Sequence, residues 1–280
     1  MYPSRFNYEA PTSLAEAIQI LRSTDDAKVL AGGQSLIPMM KLRFASPATL
    51  VDINNIPGLD LHGADADGTY RIGALCRHAQ LEKSTTLGDH QPTIAAAAPL
   101  VADPIVRTRG TFVGSVCHAD PQGDWASCMV ALDGSVTAVG PNGSRSIPVK
   151  ELVSGPFQTI LSRDEIATEA VIQPAQGTRV GGYLKLERRV GDFATAGVAI
   201  ALEMSGDSVT KAGIGLTGVG SQTVDASDAA AALVGSRLDA ESIANAARLA
   251  MWQTLSQTFK QAYAMADLWN DLTPRAGSVG

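Results

Sequence analysis

Two short glycine-bearing segments, Ala31-Gly32-Gly33-Gln34-Ser35 and Thr111-Phe112-Val113-Gly114-Ser115, constrain this chain more than any other feature of its sequence. Each reads as a tight turn after an apolar, strand-like run. A turn of free backbone N–H groups, often at a helix N-terminus, holds an anionic diphosphate without needing a lysine. Glycine permits that turn, because without a Cβ it adopts positive φ and lets phosphate oxygens approach the main chain. The hydroxyls of Ser35, Thr111 and Ser115 add donors. Taken alone, Gly32-Gly33 reads as a structural turn. Two such segments in one chain point instead to a dinucleotide gripped from two sides.

The commoner phosphate-binding patterns are not met. A Rossmann fingerprint needs G-x-G-x-x-G and an acidic residue about twenty positions on, and a P-loop needs Gly-Lys-Ser/Thr. Asp52 lies at a suggestive distance from the first segment, but the third glycine is missing.

With 280 residues, 45% of them hydrophobic, the chain can bury a substantial core in two or three domains. A net charge of −6 without any basic stripe argues against nucleic acid or an anionic membrane as partner. The N-terminal residues lack an apolar leader, and no run is long enough to cross a bilayer, so a cytoplasmic location is expected. Cys76, Cys117 and Cys128 are odd in number and have no CxxC spacing. That pattern gives neither a disulfide framework nor an iron–sulfur cluster. The Cys76/His78 and Cys117/His118 pairs lack zinc spacing, so no metal is expected, and no catalytic acid or base stands out.

Along the chain, Leu14, Ala17, Ile18 and Leu21 make one face of a helix over 13–23, with Ser13 and Glu16 in a capping-box pattern. A strand at 28–30 runs into the first glycine segment. A helix over 36–44 follows, with Ser35 as N-cap and Pro38 in its first turn, and then a strand at 49–53. Residues 1–55 thus read as a β-α-β unit. Residues 56–174 mix strands at 70–73, 135–139 and 144–149 with helices at 93–100 and 124–132, and Asn142-Gly143 signals a hairpin. After a break at 173–178, strands at 183–186, 197–204 and 208–216 form an antiparallel sheet, joined by helices at 226–234, 239–254 and 259–269. Residues 175–280 form this last domain, ending in a loose tail at 275–280. The fold class is α+β.

Three motifs in order carry a resemblance: Ala31-Gly-Gly-Gln-Ser-Leu-Ile-Pro, Arg109-Gly-Thr-Phe-Val-Gly-Ser-Val-Cys-His-Ala-Asp-Pro-Gln-Gly-Asp124, and Tyr183-Leu-Lys-Leu-Glu-Arg-Arg-Val-Gly-Asp-Phe-Ala194. Over residues 6–271 the chain resembles the FAD-binding medium subunits of molybdenum hydroxylases, of the carbon monoxide dehydrogenase medium-chain type within the xanthine dehydrogenase family. The resemblance implies a two-lobed FAD-binding domain of the vanillyl-alcohol-oxidase (PCMH) type, lobes 1–55 and 56–174. A small C-terminal domain of an antiparallel sheet and three helices follows.

The resemblance further implies that Ala31, Gly32, Gly33, Gln34 and Ser35 hold the FAD diphosphate from one lobe, and Thr111, Val113, Gly114 and Ser115 from the other. Relatives usually carry Gly-Gly where this chain has Val113-Gly114. Asp124 matches an acidic position bonding ribitol or ribose hydroxyls, with a helix N-cap as its plainer use. Lys185 matches a lysine near the flavin pyrimidine edge, where a cation favours the reduced form. Phe193 lies either near the ring or in the core, and Arg188 and Arg189 read as a surface pair. The molybdenum cofactor and two [2Fe–2S] clusters are implied in large and small partner subunits, in a dimer of heterotrimers. Electrons would pass from the clusters to FAD and on to a quinone, NAD or oxygen. Two rivals remain, a self-contained FAD oxidoreductase of the same superfamily and a non-catalytic nucleotide-binding scaffold.

Overall fold

The computed structural model describes residues 2–272, with side chains to 256, so the tail expected at 275–280 lies outside the described residues. The chain opens with β1 (Asn7–Glu9), α1 (Leu14–Ser23), β2 (Ala27–Leu30), α2 (Leu36–Lys41) and β3 (Thr49–Asp52). These strands form a parallel sheet in the order β1-β3-β2, and helix α1 buries Ala17, Ile18 and Leu21. The α1 cap forms as its residues imply, Ser13 Oγ accepting from Glu16 N–H at 3.2 Å. Glu16 reaches back one residue further than a capping box requires, accepting from Thr12 N–H at 2.9 Å. Helix α2 ends at Lys41 instead of running to Phe44. Arg43 takes φ +63° and Phe44 N–H donates to Met39 O at 2.9 Å, a left-handed stop reached without a glycine.

The middle of the chain holds β4 (His62–Ala64), β5 (Tyr70–Gly73), α3 (His78–Glu82), α4 (Leu87–His90), α5 (Pro92–Ala97), α6 (Pro104–Arg107), α7 (Phe112–His118) and α8 (Asp124–Ala131). It continues with β6 (Ser135–Gly140), β7 (Gly143–Pro148), α9 (Val149–Leu152), β8 (Val153–Gly155), β9 (Gln158–Thr159) and β10 (Ile166–Ile172). Five strands make an antiparallel sheet ordered β4-β5-β10-β6-β7. The core beneath it centres on Trp125, Tyr70 and Phe112, each at most 1% exposed. The expected β6–β7 hairpin forms, but Pro141 and Asn142 are its turn residues, and only Gly143 takes positive φ, +104°.

The last part comprises β11 (Thr178–Glu187), β12 (Ala194–Ser205), β13 (Ser208–Thr217), β14 (Val224–Asp225), α10 (Ser227–Leu233) and α11 (Ala240–Leu272). The four strands run antiparallel in sequence order. The helices expected at 239–254 and 259–269 are one continuous α11, so two helices stand where three are expected. Residues 255–258, Leu-Ser-Gln-Thr, contain neither proline nor glycine to stop it.

Glycines join this sheet to the rest of the chain. A Cβ on Gly213 would lie 2.8 Å from the carbonyl carbon of Ala131, and one on Gly215 2.8 Å from that of Ser127, both on α8. On β11, a Cβ at Gly181 would press on Thr93 of α5 and on Ile200 O. Strand backbone therefore rests directly on helix backbone, closer than any side chain allows.

Candidate functional site

The first glycine segment links β2 to α2. Gly33 sits at φ +73°, where only glycine rests without strain, and its carbonyl accepts from Ile37 N–H at 3.0 Å. Helical bonding thus begins at Gly33. Among the described residues, the N–H groups of Gly32, Gly33, Gln34 and Ser35 meet no protein acceptor. Ser35 does not cap the helix as expected. Its backbone is already helical, and its hydroxyl makes no cap bond.

The second segment follows helix α6 rather than a strand, and its glycine lies inside a helix rather than in a turn. Thr111 is extended at φ −116°, ψ 149° and precedes α7, which takes Val113 and Gly114 into its first turn. Phe112 N–H donates to Cys76 O and Ser115 N–H to Thr111 O, both at 3.0 Å. Those of Thr111, Val113 and Gly114 meet no protein acceptor among the described residues. The Val113 side chain is 2% exposed in the core, so the departure from Gly-Gly leaves its N–H in place. Thr111 is 3% exposed, yet its hydroxyl has no partner, and a Cβ on Gly114 would lie 2.5 Å from it.

The two segments touch. A Cβ added to Gly32 would collide with Arg109 O and stand 2.9 Å from Gly110 Cα, so the first loop lies flat on the residues leading into the second. Gly110 in turn rests on the His78 ring. His78 Nδ1 accepts from Trp125 Nε1 at 3.0 Å, and burial pushes its pKa down to about 4, helped by Arg107 and Arg77. A tryptophan N–H only donates, so this bond requires a neutral imidazole with its proton on Nε2.

Asp124 and Lys185 come together from α8 and β11. Asp124 is not the N-cap of α8, a place held by Gly123, but its first residue. Its carboxylate accepts from Tyr183 Oη at 2.5 Å and from Lys185 Nζ at 3.2 Å. Lys185 also donates to Leu100 O at 2.9 Å and lies 3.5 Å from Glu187 Oε2. The lysine side chain is 1% exposed. Burial raises the Asp124 pKa against the pull of Lys185, and burial beside Asp124 raises that of Tyr183 strongly. Tyr183 and Glu187 were missed in the sequence, although alternation along a strand puts 183, 185 and 187 on one face. Asn54 and Arg77, which bridge the two loops from behind, gave no sequence signal.

The remaining candidates lie apart. Phe193 is 61% exposed, not in the core. Arg188 pairs with Asp192 at 3.2 Å on the surface. Cys117 is partly buried, and the His118 ring packs tilted against Phe157, with centroids 5.1 Å apart. Among the described residues no group of His, Cys, Asp and Glu converges as a metal site, and no helix is long and apolar enough to cross a membrane.

Residues 4–175 match the family described as the FAD binding domain in molybdopterin dehydrogenase, and residues 182–268 match the CO dehydrogenase flavoprotein C-terminal domain. The carbon monoxide dehydrogenase medium chain of Hydrogenophaga pseudoflava is 40% identical over 90% of this chain and 88% of its own length. A second relative, the 6-hydroxypseudooxynicotine dehydrogenase complex subunit alpha of Paenarthrobacter nicotinovorans, is 37% identical over 90% of this chain and 85% of its own. A solved structure of the Hydrogenophaga pseudoflava carbon monoxide dehydrogenase superposes with a TM-score of 0.85. It covers 92% of this chain and 95% of the matched one at 37% identity.

Proposed function

Because this chain belongs to the FAD-binding medium subunits of the molybdenum hydroxylases, an oxidoreductase family, we propose that it is the flavin relay of a heteromeric complex. Its partners in this reading are a large molybdopterin-binding subunit and a small subunit with two [2Fe–2S] clusters, assembled as a dimer of heterotrimers in the cytoplasm. Residues 1–55 and 56–174 act as two lobes about the FAD, and 175–280 as the C-terminal domain. Relatives of nearly equal likeness are named for carbon monoxide and for 6-hydroxypseudooxynicotine, which supports a partner subunit as the place where substrate is chosen.

The observation that carries this reading is the seating of Gly32 on Arg109 and Gly110, which brings together two segments that each hold unused N–H groups. An FAD diphosphate fits them. It brings acceptors only, and the buried, unpartnered Thr111 hydroxyl offers one further donor. Gly32, Gly33, Gln34 and Ser35 would hold it from one side, with Ala31 joining them to β2. Thr111, Val113, Gly114 and Ser115 would hold it from the other.

Bound FAD supplies the exchange between single electrons from the iron–sulfur clusters and electron pairs leaving to a quinone, NAD or oxygen. The protein positions and tunes. Lys185, held by Leu100 O, Asp124 and Glu187, keeps a buried ammonium whose pull on nearby negative charge is partly offset by the two carboxylates, so the set of three fixes the local charge. Asp124 holds that ammonium and the Tyr183 hydroxyl in register.

Purification of the complex from its native host, with flavin absorbance and Mo and Fe analysis, tests the reading. FAD with stoichiometric Mo and Fe is expected. A flavin-free complex, or FAD on the isolated chain turning over a small molecule, overturns it.

A further inference from the structure

Behind the two glycine loops runs a continuous polar link. Asn54 Nδ2 donates to Ala31 O at 2.8 Å, on the first loop. Asn54 Oδ1 accepts from one guanidinium nitrogen of Arg77, and the other, Nη1, donates to Arg109 O at 2.6 Å, at the foot of the second loop. Arg109 O is also the atom on which Gly32 sits. Both ends of the link are fixed. Asp52 holds Asn54 through its backbone N–H at 2.9 Å, while Tyr8 Oη donates to the other oxygen of Asp52 at 2.6 Å. Arg77 is bridged to Thr111 by the backbone, with His78 N–H on Gly110 O and Phe112 N–H on Cys76 O, each at 3.0 Å.

We infer that Asn54 and Arg77 are positioning residues, a brace that fixes the gap between the two loops and so sets how tightly a diphosphate is held. The inference rests on the FAD reading above. The guanidinium is well suited to the task, because its rigid fork reaches two acceptors at once and a lysine ammonium cannot reproduce that geometry. Each of its two terminal nitrogens gives one N–H to a protein acceptor, one toward each loop, so the fork is held between them, and salt dependence and the lysine variant separate bracing from charge attraction to phosphate. Arg77 also lines a cavity of about 340 Å³ with Asn54, Asp60 and Gln80. Once the link is cut, the seating of Gly32 on Arg109 and Gly110 remains, but the side-chain tie between Ala31 O and Arg109 O is lost.

The test is FAD titration of the flavin-stripped complex by flavin fluorescence, for Arg77→Met, Arg77→Lys, Asn54→Leu and the double variant Arg77→Met/Asn54→Leu, at two salt concentrations. As a brace, Arg77→Lys behaves like Arg77→Met, each raising the FAD Kd by about tenfold, the cost of an unmade hydrogen bond to a charged group. Salt dependence of Kd stays that of the parent, and the double variant is no weaker than the worse single one. A lysine that restores parental affinity, or loss of salt dependence, marks Arg77 as a phosphate cation and overturns the brace. Parental affinity in all variants overturns it too. Thermal melts of the stripped forms identify any variant that fails to fold, and Arg77→Lys and Asn54→Leu are then read without it. Gly32→Val keeps the two ideas apart, since it removes the cradle itself. Retention of FAD by Gly32→Val sinks the FAD reading and the brace together, whereas its loss beside unaffected brace variants sinks the brace alone.

Discussion

Replacing Gly32 by alanine puts the site to its sharpest test. The added Cβ meets the backbone of Arg109 and Gly110, with Gly110 Cα at 2.9 Å, the Arg109 carbonyl carbon at 3.0 Å, and Arg109 O closer still. None of these can swing aside as a side-chain tip would. To regain ordinary contact at about 3.4 Å, the loops must part by roughly 0.5 Å at Gly110 and about 1 Å at the Arg109 carbonyl. Overpacking of that kind costs about 1–3 kcal/mol. If all of it falls on the diphosphate-holding geometry, FAD affinity drops by about 5- to 150-fold. Gly63→Ala is the matched control, because a Cβ there meets nothing within 4 Å. Flavin fluorescence titration reads the affinity, and a thermal melt of the stripped protein reads the share spent on folding. Parental FAD affinity together with a parental melt in Gly32→Ala would refute the contact between the loops as the basis of the site.

Three further outcomes are expected. Thr111→Val removes a buried hydroxyl that has no protein partner, so the stripped protein should hold its stability or gain while FAD affinity falls about fivefold. A fall in stability with unchanged affinity would show a structural hydroxyl instead. Glu187→Gln frees the Lys185 ammonium of one carboxylate and should raise the flavin midpoint potential, while Lys185→Met lowers it. Each shift is on the order of 30 mV, the two-electron equivalent of ~1.4 kcal/mol, in spectroelectrochemical titration, and shifts of the same sign would contradict the assignment. His78, with its pKa held down to about 4, contributes stability that is complete above pH 6.5 and lost as pH falls toward about 4. Urea unfolding across that window should lose up to about 1.4 kcal/mol per pH unit, and His78→Gln should flatten the slope. An equal slope in both proteins would dismiss the histidine as its source.

What could be read from the sequence divides along physical lines. The α1 face, the existence of the β6–β7 hairpin though not its turn, which falls one residue before the expected Asn142-Gly143, the antiparallel sheet and the loop at Gly32-Gly33 are written in local periodicity and turn chemistry, which a short window contains. Strand β1 was missed because three exposed residues, Asn7, Tyr8 and Glu9, carry no alternation and pair only through β3. The second glycine segment misled because Thr-Phe-Val-Gly-Ser reads equally as a strand-to-turn passage or a helix start. What decides is the pairing of Thr111 with Arg77, distant in sequence. Lys185 and Asp124 were picked out through the family pattern, but their mutual ion pair, and the roles of Tyr183 and Glu187 around it, depend on β11 lying over α8. The pair Asn54 and Arg77 left no trace at all, since an asparagine after a strand and an arginine before a helix are ordinary residues until the fold sets them face to face.

The glycines where β13 meets α8 bear on how such a protein could be taken apart or recombined. Helix carbonyls occupy the room a side chain would need, so sheet and helix interlock like the teeth of a closed zip and cannot slide or hinge without opening completely. Lys185 rides on the sheet and Asp124 on the helix, so any opening also parts that pair. A chimera that borrows residues beyond the 173–177 connection from a relative must therefore bring glycine at 213 and 215, or it loses the buried ion pair along with the joint.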